Sequence, residues 1–133
     1  MKEAAKTAVF WAPNMSIGIH WLLHILPHFS HLTEMDFQIE EIQHKEKKDN
    51  PSGTALLLFD NLKKVVASLP PPLFIRGGGV FGVHKIMALG QDEVIEITHS
   101  ALNRKVFAVG ALRVAQWIRN KKPGFYSMAD VFK

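Results

Sequence analysis

The segment of residues 40–55 constrains the fold more than any other part of the sequence, because a strand-like run passes there through a charged turn into the start of a helix. Alternating apolar and polar side chains predict a strand over residues 36–46, and Ser52 is a natural N-cap for the helix that follows. The backbone N–H groups and the positive dipole end of a helix start attract anions. We therefore predict a site for a small carboxylate or phosphate at this junction, with His44 or Lys47 able to move a proton.

The rest of the chain predicts the element order β-α-β-α-β-β-β-α followed by an apolar tail that needs a partner surface. Pro27 is expected to kink or end the first helix, because proline lacks an N–H group and clashes with the preceding turn. Ser16 and Asn103 are expected N-caps. This order predicts an α+β fold in one domain over residues 1–133: a mixed β-sheet with helices on one face, whose other face is free for sheet-mediated oligomerisation. Hydrophobic periodicity places the strands at residues 8–11, 36–46, 73–75, 83–89 and 93–99, and the helices at 17–32, 52–68 and 103–121.

Composition excludes several classes of function. The chain has no cysteine, so thiol catalysis, disulfides and cysteine-ligated zinc are excluded. A net charge of +4 suits anionic ligands but is too small and too scattered to predict nucleic-acid binding. No apolar run approaches the roughly 20 residues of a membrane span, and the first residues lack the apolar core of a secretory leader. We predict a cytoplasmic protein without membrane or nucleic-acid partners.

A glycine-rich segment and a row of histidines resemble ligand-binding motifs, but we interpret both as structural features. The glycines of residues 77–82 match Gly-x-Gly-x-x-Gly, but they lead into a predicted strand instead of a helix, which favours a bulge or mobile loop over a dinucleotide site. Four histidines at helical spacing could bind a metal, but the run lacks a carboxylate ligand and Pro27 interrupts it. We predict no metal site, and a polar helix face at solvent or at a subunit contact, formed by His20, His24, His28 and His31.

These segments together resemble the C-terminal domain of the 4-hydroxy-tetrahydrodipicolinate reductase (dihydrodipicolinate reductase) family. The hallmark of that family, Glu-x-His-His-x-x-Lys-x-Asp-Ala-Pro-Ser-Gly-Thr-Ala, aligns with residues 41–55. The resemblance extends over nearly the whole chain. Further matches lie at residues 12–18, at Arg76, Gly77, Gly78, Gly82 and His84, at residues 96–99, at Arg104, Phe107, Gly110 and Ala111, and at residues 122–131.

The resemblance implies an NADPH- or NADH-dependent reductase of a cyclic unsaturated dicarboxylate in the diaminopimelate and lysine pathway. It further implies a homo-oligomer, a tetramer assembled through the sheet, and a tail over residues 123–133 that packs on the family's cofactor domain. The roles that it implies are a proton donor at Lys47, a second catalytic position at Gln43, substrate contacts by His44, Ser52, Gly53 and Thr54, and cofactor contacts by Ala12, Pro13, Asn14 and Met15.

The sequence departs from the family pattern in three ways. Gln43 replaces the family's leading histidine, and an amide cannot exchange a proton near neutral pH. Gly79 and Val83 are uncharged where the family usually has acids, and the segment of residues 54–76 is shorter than usual. The family's nucleotide-binding half is expected to be missing, because no strand, glycine-rich turn and helix precede residue 8, so that the chain is either a fragment or a gene product that has lost this half. The chain is therefore expected to be inactive by itself, and a catalytically inactive homologue that acts as an assembly or anion-binding module is the alternative function.

Overall fold

The computed structural model describes residues 6–133 and divides the chain into two compact units. The first unit contains the described part of Met1–His24 together with Arg104–Lys133, and the second contains Ile25–Asn103. The assignment of residues 1–133 to a single domain stays a prediction. In chain order the elements are β1 (Ala8–Phe10), α1 (Ile17–Ile25), a 3-10 helix (Leu26–His31), β2 (Asp36–Gln43), α2 (Gly53–Leu62), β3 (Leu73–Arg76), β4 (Val83–Leu89), β5 (Val94–Ser100), α3 (Lys105–Ile118), β6 (Gly124–Tyr126) and α4 (Met128–Val131).

The second unit is built on a four-stranded sheet in the order β3-β2-β4-β5. Strand β2 pairs in parallel with β3 and antiparallel with β4, and β4 pairs antiparallel with β5. Parallel and antiparallel pairs in one sheet beside helices confirm the predicted α+β class with a mixed sheet. The core lies between one sheet face and the helices, with Phe29 of the 3-10 helix stacked on Phe37 of β2. Its buried apolar residues include Leu26, Phe29, Phe37, Ile39, Ala55, Leu58, Leu62, Ile86 and Ala88.

The opposite face of this sheet carries exposed apolar side chains. Register places Leu73 and Ile75 of β3 on the face of Glu40 and Ile42, away from the buried Ile39. Leu73, Ile75, Leu89 and Val94 are all exposed there. Within the second unit the 3-10 helix and α2 cover the other face, as the sequence predicts, and oligomerisation through the open face stays a prediction.

The first unit contains a parallel pair of strands, β1 and β6, with Ala8 opposite Gly124. The ring of Trp117 on α3 contacts Phe10 and Tyr126 edge to face. The apolar tail thus finds part of its partner surface in β1, and Met128 in the tail is buried. Strand β6 itself was not predicted, because three residues carry too little periodicity to indicate a strand.

Several predicted boundaries differ from the structure. Helix α1 ends at Ile25, and a 3-10 helix that contains Pro27 follows from Leu26. Strand β2 ends at Gln43 because the next backbone groups turn: the Lys47 N–H donates to the His44 carbonyl at 3.1 Å. Helix α2 ends at Leu62, not near residue 68, and turns follow.

The capping predictions have mixed outcomes. The prediction that Ser16 caps α1 is confirmed, because its hydroxyl oxygen accepts a hydrogen bond from the Ile19 N–H at 3.3 Å. Ser52 is confirmed as the N-cap of α2, because its side chain accepts from the Ala55 N–H. The prediction that Asn103 caps α3 stays a prediction: Arg104, directly before α3, has a helical backbone conformation and makes no side-chain cap hydrogen bond.

Gly110 allows α3 to approach the chain at Met15, and replacing it is expected to destabilise the first unit. A Cβ atom at this position would lie 1.7 Å from the Met15 carbonyl oxygen, a backbone atom that cannot turn aside. We expect Gly110→Ala to lower the free energy of unfolding by about 2 kcal/mol or more. Urea denaturation followed by tryptophan fluorescence measures this loss, because Trp11, Trp21 and Trp117 all lie in the first unit.

The matched control is Gly79→Ala, since a Cβ atom at Gly79 meets nothing within 4 Å. Equal stability of the two variants contradicts the close approach at Met15.

Candidate anion-binding site

Strand register brings four polar side chains of the second unit to the helix-covered face of the sheet. Glu41 of β2 lies opposite His84 of β4, and Gln43 lies opposite Arg76, the last residue of β3. Ser52 follows as the N-cap of α2. These elements converge because β3 runs parallel to β2 and ends beside it, while α2 starts after the turn that follows β2. We refer to Glu41, Ser52, Arg76 and His84 as the Glu41 cluster.

The carboxylate of Glu41 is fully buried and is surrounded by hydrogen-bond donors. Its Oε1 atom accepts from the backbone N–H of Ser52 and from Nη2 of Arg76, each at 2.7 Å. Its Oε2 atom accepts from the Ser52 hydroxyl and lies 3.2 Å from Nε2 of His84. Burial alone raises the pKa of Glu41, but the hydrogen bonds from Ser52 and Arg76 together outweigh burial and hold the pKa below its ordinary value. The carboxylate is therefore ionised at neutral pH.

The imidazole of His84 is neutral at neutral pH. Burial lowers the pKa of His84, and the attraction of Glu41 offsets that effect only in part. A neutral imidazole donates from one ring nitrogen, so the donor facing Glu41 is Nε2–H. Burial likewise lowers the pKa of His99, which lies opposite His84 on β5. The guanidinium of Arg76 is thus the cation that balances the charge of Glu41.

Arg76 also holds the loop between β2 and α2. Its Nη2 atom donates to the backbone carbonyl of Asp49 at 2.8 Å, in addition to Glu41. Near the beginning of the loop, the backbone N–H of Lys45 donates to the backbone carbonyl of Gly78 at 3.1 Å. The loop is therefore attached to the end of β3 at two points.

The loop places an ammonium group beside the start of α2. Nζ of Lys47 lies 2.8 Å from Oδ1 of Asp49. The backbone N–H of Gly53, the first residue of α2, also lowers the pKa of Asp49, as the smallest of the causes. The ion pair with Lys47 is the main cause that lowers the pKa of Asp49. The sequence analysis expects an anionic ligand at the Lys47 ammonium and the helix start. In the structure the Asp49 carboxylate interacts with both of these groups.

The residues predicted to bind substrate lie in the segment of residues 43–54 and have different surroundings. Gly53 is exposed with open space around its Cα atom, and His44 is half-buried. Ser52 is buried, and its hydroxyl group is engaged by Glu41 and by the Ala55 N–H. Gln43 is buried near the backbone of Gly82. Lys47 and Thr54 complete the segment, each half-buried.

The predicted cofactor contacts lie in the first unit. The Asn14 side-chain oxygen accepts from the Ser16 N–H at 2.7 Å, and the Asn14 carbonyl lies 2.5 Å from Nε2 of His20. Ala12 and Met15 are half-buried, and Pro13 is exposed. Their contact with a cofactor stays a prediction.

The histidine stripe is divided among different environments. Burial is the main cause that lowers the pKa of His20, against the opposing hydrogen bond to Asn14. His24 stacks on Phe132 with ring centroids 5.8 Å apart, whereas His28 and His31 are exposed. Among residues 6–133 no group of three His, Cys, Asp or Glu side chains is arranged to hold a metal ion.

Sequence reasoning missed Glu41, Arg76 and His84 as members of one cluster. A signal was present for Glu41: strand alternation places it on the same face as Phe37 and Ile39, so a charge was directed into the core. A charge at such a position requires a buried partner. The identity of that partner depends on the parallel pairing of β2 with β3, which local periodicity does not reveal.

The chain matches the family model described as "Dihydrodipicolinate reductase, C-terminus" over residues 18–132. It is 53% identical over 127 residues to the 4-hydroxy-tetrahydrodipicolinate reductase of Bdellovibrio bacteriovorus, covering 95% of this chain and 56% of that protein. It is 45% identical over 129 residues to the 4-hydroxy-tetrahydrodipicolinate reductase of Thermosipho africanus, covering 96% of this chain and 58% of that protein. The chain therefore spans little more than half the length of these relatives.

A solved structure shares the fold. The dipicolinate-bound dihydrodipicolinate reductase from Paenisporosarcina sp. TG-14 superposes with a TM-score of 0.77 at 21% sequence identity, covering 92% of this chain and 53% of that chain.

In the described part of the chain, no helix is long and apolar enough to cross a membrane.

Removing the charge of Glu41 is expected to destabilise the second unit. Glu41→Gln leaves the Arg76 guanidinium buried without a counter-charge and places an amide where four donors converge. We expect a loss of about 3–5 kcal/mol in the free energy of unfolding. Urea denaturation followed by far-UV circular dichroism measures it.

The matched control is Glu40→Gln, one residue away on the opposite, partly exposed face of the sheet. This control is expected to change stability by less than about 1 kcal/mol. If the two substitutions cost the same, the carboxylate of Glu41 does not organise the cluster.

Proposed function

Because the chain belongs to the family defined by the C-terminus of dihydrodipicolinate reductase, we propose that it is the substrate-binding and oligomerisation domain of an NAD(P)H-dependent 4-hydroxy-tetrahydrodipicolinate reductase. The named relatives are reductases, which supports an enzyme of this class. The proposed substrate is a small cyclic dicarboxylate of the diaminopimelate and lysine pathway. The cytoplasmic location and the lack of a nucleic-acid partner stay predictions from the sequence.

One observation carries the proposal: the Asp49 carboxylate lies 2.8 Å from Nζ of Lys47, and the backbone N–H of Gly53 also lowers its pKa. These groups stabilise a carboxylate by charge and by the orientation of the helix start. Asp49 is exposed, so a ligand carboxylate can replace it without opening the core. Thr54 follows at the next helical position, and His44 lies half-buried at the start of the loop.

The described residues alone do not fit a dinucleotide cofactor. Residues 6–133 contain no glycine-rich turn between a strand and a following helix, since the glycines of residues 77–82 join β3 to β4. NADPH or NADH supplies the hydride in reductases of this kind. The isolated chain is expected to have no reductase activity.

The proposed catalytic role of this chain is binding and protonation. Lys47 holds a substrate carboxylate near the start of α2 and donates a proton from Nζ to the ring carbon next to the carbon that receives the hydride. Its side chain is 26% exposed, so the resulting amine regains a proton from water. Gln43 orients substrate by hydrogen bonds, because an amide has donors and acceptors but does not titrate near neutral pH.

Assembly through the open sheet face is the second part of the proposal. Leu73, Ile75, Leu89 and Val94 expose apolar surface there, and an exposed apolar patch typically marks an interaction site. We expect the wild-type chain to form a homotetramer in solution. The Ile75→Lys variant, which places a charge on that face, is expected to form dimers or monomers. Light scattering measures both, with Val109→Lys on the exposed surface of α3 as the control. A monomeric wild-type chain at high concentration contradicts the proposal.

Binding of a dicarboxylate tests the site. Isothermal titration with pyridine-2,6-dicarboxylate is expected to show binding that Lys47→Ala weakens about 10- to 100-fold, the usual contribution of a hydrogen bond to a charged group. Lys48→Ala, an exposed lysine on the same loop, is the matched control and is expected to change the affinity by less than about threefold. Equal heats from both variants would remove the assignment of the site.

The alternative function is a catalytically inactive homologue that acts as an assembly or anion-binding module. Gln43 favours this alternative, because it replaces the family's histidine and cannot exchange a proton near neutral pH.

A fusion protein separates the two functions. The chain is joined to the part of the Bdellovibrio bacteriovorus reductase that it does not span, and oxidation of NADPH and NADH is followed with 4-hydroxy-tetrahydrodipicolinate. The reductase proposal predicts turnover that Lys47→Ala abolishes. A folded fusion that turns over only after Gln43→His supports the inactive module.

A further inference from the structure

Arg76 joins the buried interior of the second unit to the loop that carries Lys47. Its Nη2 atom donates at once to Oε1 of Glu41 at 2.7 Å and to the Asp49 carbonyl at 2.8 Å. Its Nη1 atom donates to the Ile75 carbonyl at 3.0 Å, and its guanidinium carbon lies 5.4 Å from the centre of the Phe74 ring. The side chain is only 12% exposed. These contacts fix the guanidinium in one orientation.

The two acceptors of Nη2 of Arg76 determine where both halves of the anion site lie. Asp49 is fixed through its backbone carbonyl, and its carboxylate pairs with Nζ of Lys47. Glu41 is fixed through its carboxylate, which in turn holds both the N–H and the hydroxyl group of Ser52. Ser52 directly precedes Gly53, so the position of the first amide of α2 depends on the same guanidinium.

We propose that Arg76, held by Glu41, is a positioning residue that sets the distance between the Lys47 ammonium and the start of α2. This inference rests on the proposed function, because that distance matters only if the two groups share a ligand carboxylate. Arg76 acts through Asp49 and Glu41 and does not touch the ligand. The residues proposed to contact substrate or cofactor, or to transfer a proton, do not include Arg76.

Arginine suits this role better than lysine. The planar guanidinium presents two N–H groups on one nitrogen in a fixed geometry, so it can serve two acceptors in different directions. An ammonium group keeps the charge that Glu41 requires, but it sits on a flexible stem and is a point charge without a fork. Arg76→Lys therefore removes the geometry of the contact and retains its charge.

The test is titration of the wild-type and Arg76→Lys chains with pyridine-2,6-dicarboxylate, with Arg113→Lys on the exposed surface of α3 as the control. We expect about a tenfold loss of affinity in Arg76→Lys, a thermal midpoint close to that of the wild type, and no loss in the control. In the Lys47→Ala background, Arg76→Lys is expected to cause no further loss, because its effect passes through Lys47. Wild-type affinity in Arg76→Lys, or an equal loss in both backgrounds, overturns the proposal.

A second measurement does not depend on a ligand. Carboxyl titration by NMR is expected to show a raised pKa of Asp49 in Arg76→Lys, because the carboxylate is no longer held against Lys47. If the wild-type chain binds no dicarboxylate, the proposed function fails, and this titration still decides the positioning role. An unchanged titration of Asp49 overturns it.

A third measurement uses only the wild-type chain, so it holds even if Arg76→Lys does not fold. Fixed contacts predict slow rotation of the Arg76 guanidinium and separate NMR signals for its two Nη nitrogens at low temperature. A single averaged signal overturns the proposal.

Discussion

The second unit depends on one interaction, the pairing of the buried Glu41 carboxylate with its donors. A carboxylate removed from water carries a large free-energy penalty unless charge and hydrogen bonds compensate it. Here the compensation comes from three separate elements: Arg76 at the end of β3, His84 on β4 and Ser52 at the start of α2. Because each donor must reach the same two oxygen atoms, the pairing fixes the ends of these elements against β2.

The candidate site follows from this constraint. The loop between β2 and α2 is attached through Arg76 at Asp49 and through Glu41 at Ser52. Its exposed part then presents Lys47 beside the first turn of α2, with Asp49 between them. A rigid interior thus supports an accessible ammonium and an accessible helix start, which is the arrangement that a site for a small carboxylate requires.

Local sequence signals predicted much of the fold and the outline of the site. Alternation located β2, β4 and β5, and Ser52 was identified as the cap because a hydroxyl group before a helix satisfies a backbone N–H. The ends of β2 at Gln43 and of α2 at Leu62 were not predicted, because they depend on turns that hydrophobic periodicity does not indicate. The partners of Glu41 were missed for a different reason, since Arg76 lies 35 positions away and meets it only through parallel strand pairing.

The ionisation of Glu41 in the folded chain tests the central claim most directly. Carbon-13 NMR of the side-chain carboxyl follows it as the pH is lowered. Stabilisation by Arg76 and Ser52 predicts that Glu41 stays ionised below its ordinary pKa of 4.5, and that the folded chain loses this stabilisation progressively as the pH falls from that value through the lowered pKa. Protonation of Glu41 at or above the ordinary pKa would show that burial outweighs the donors, and would contradict the account.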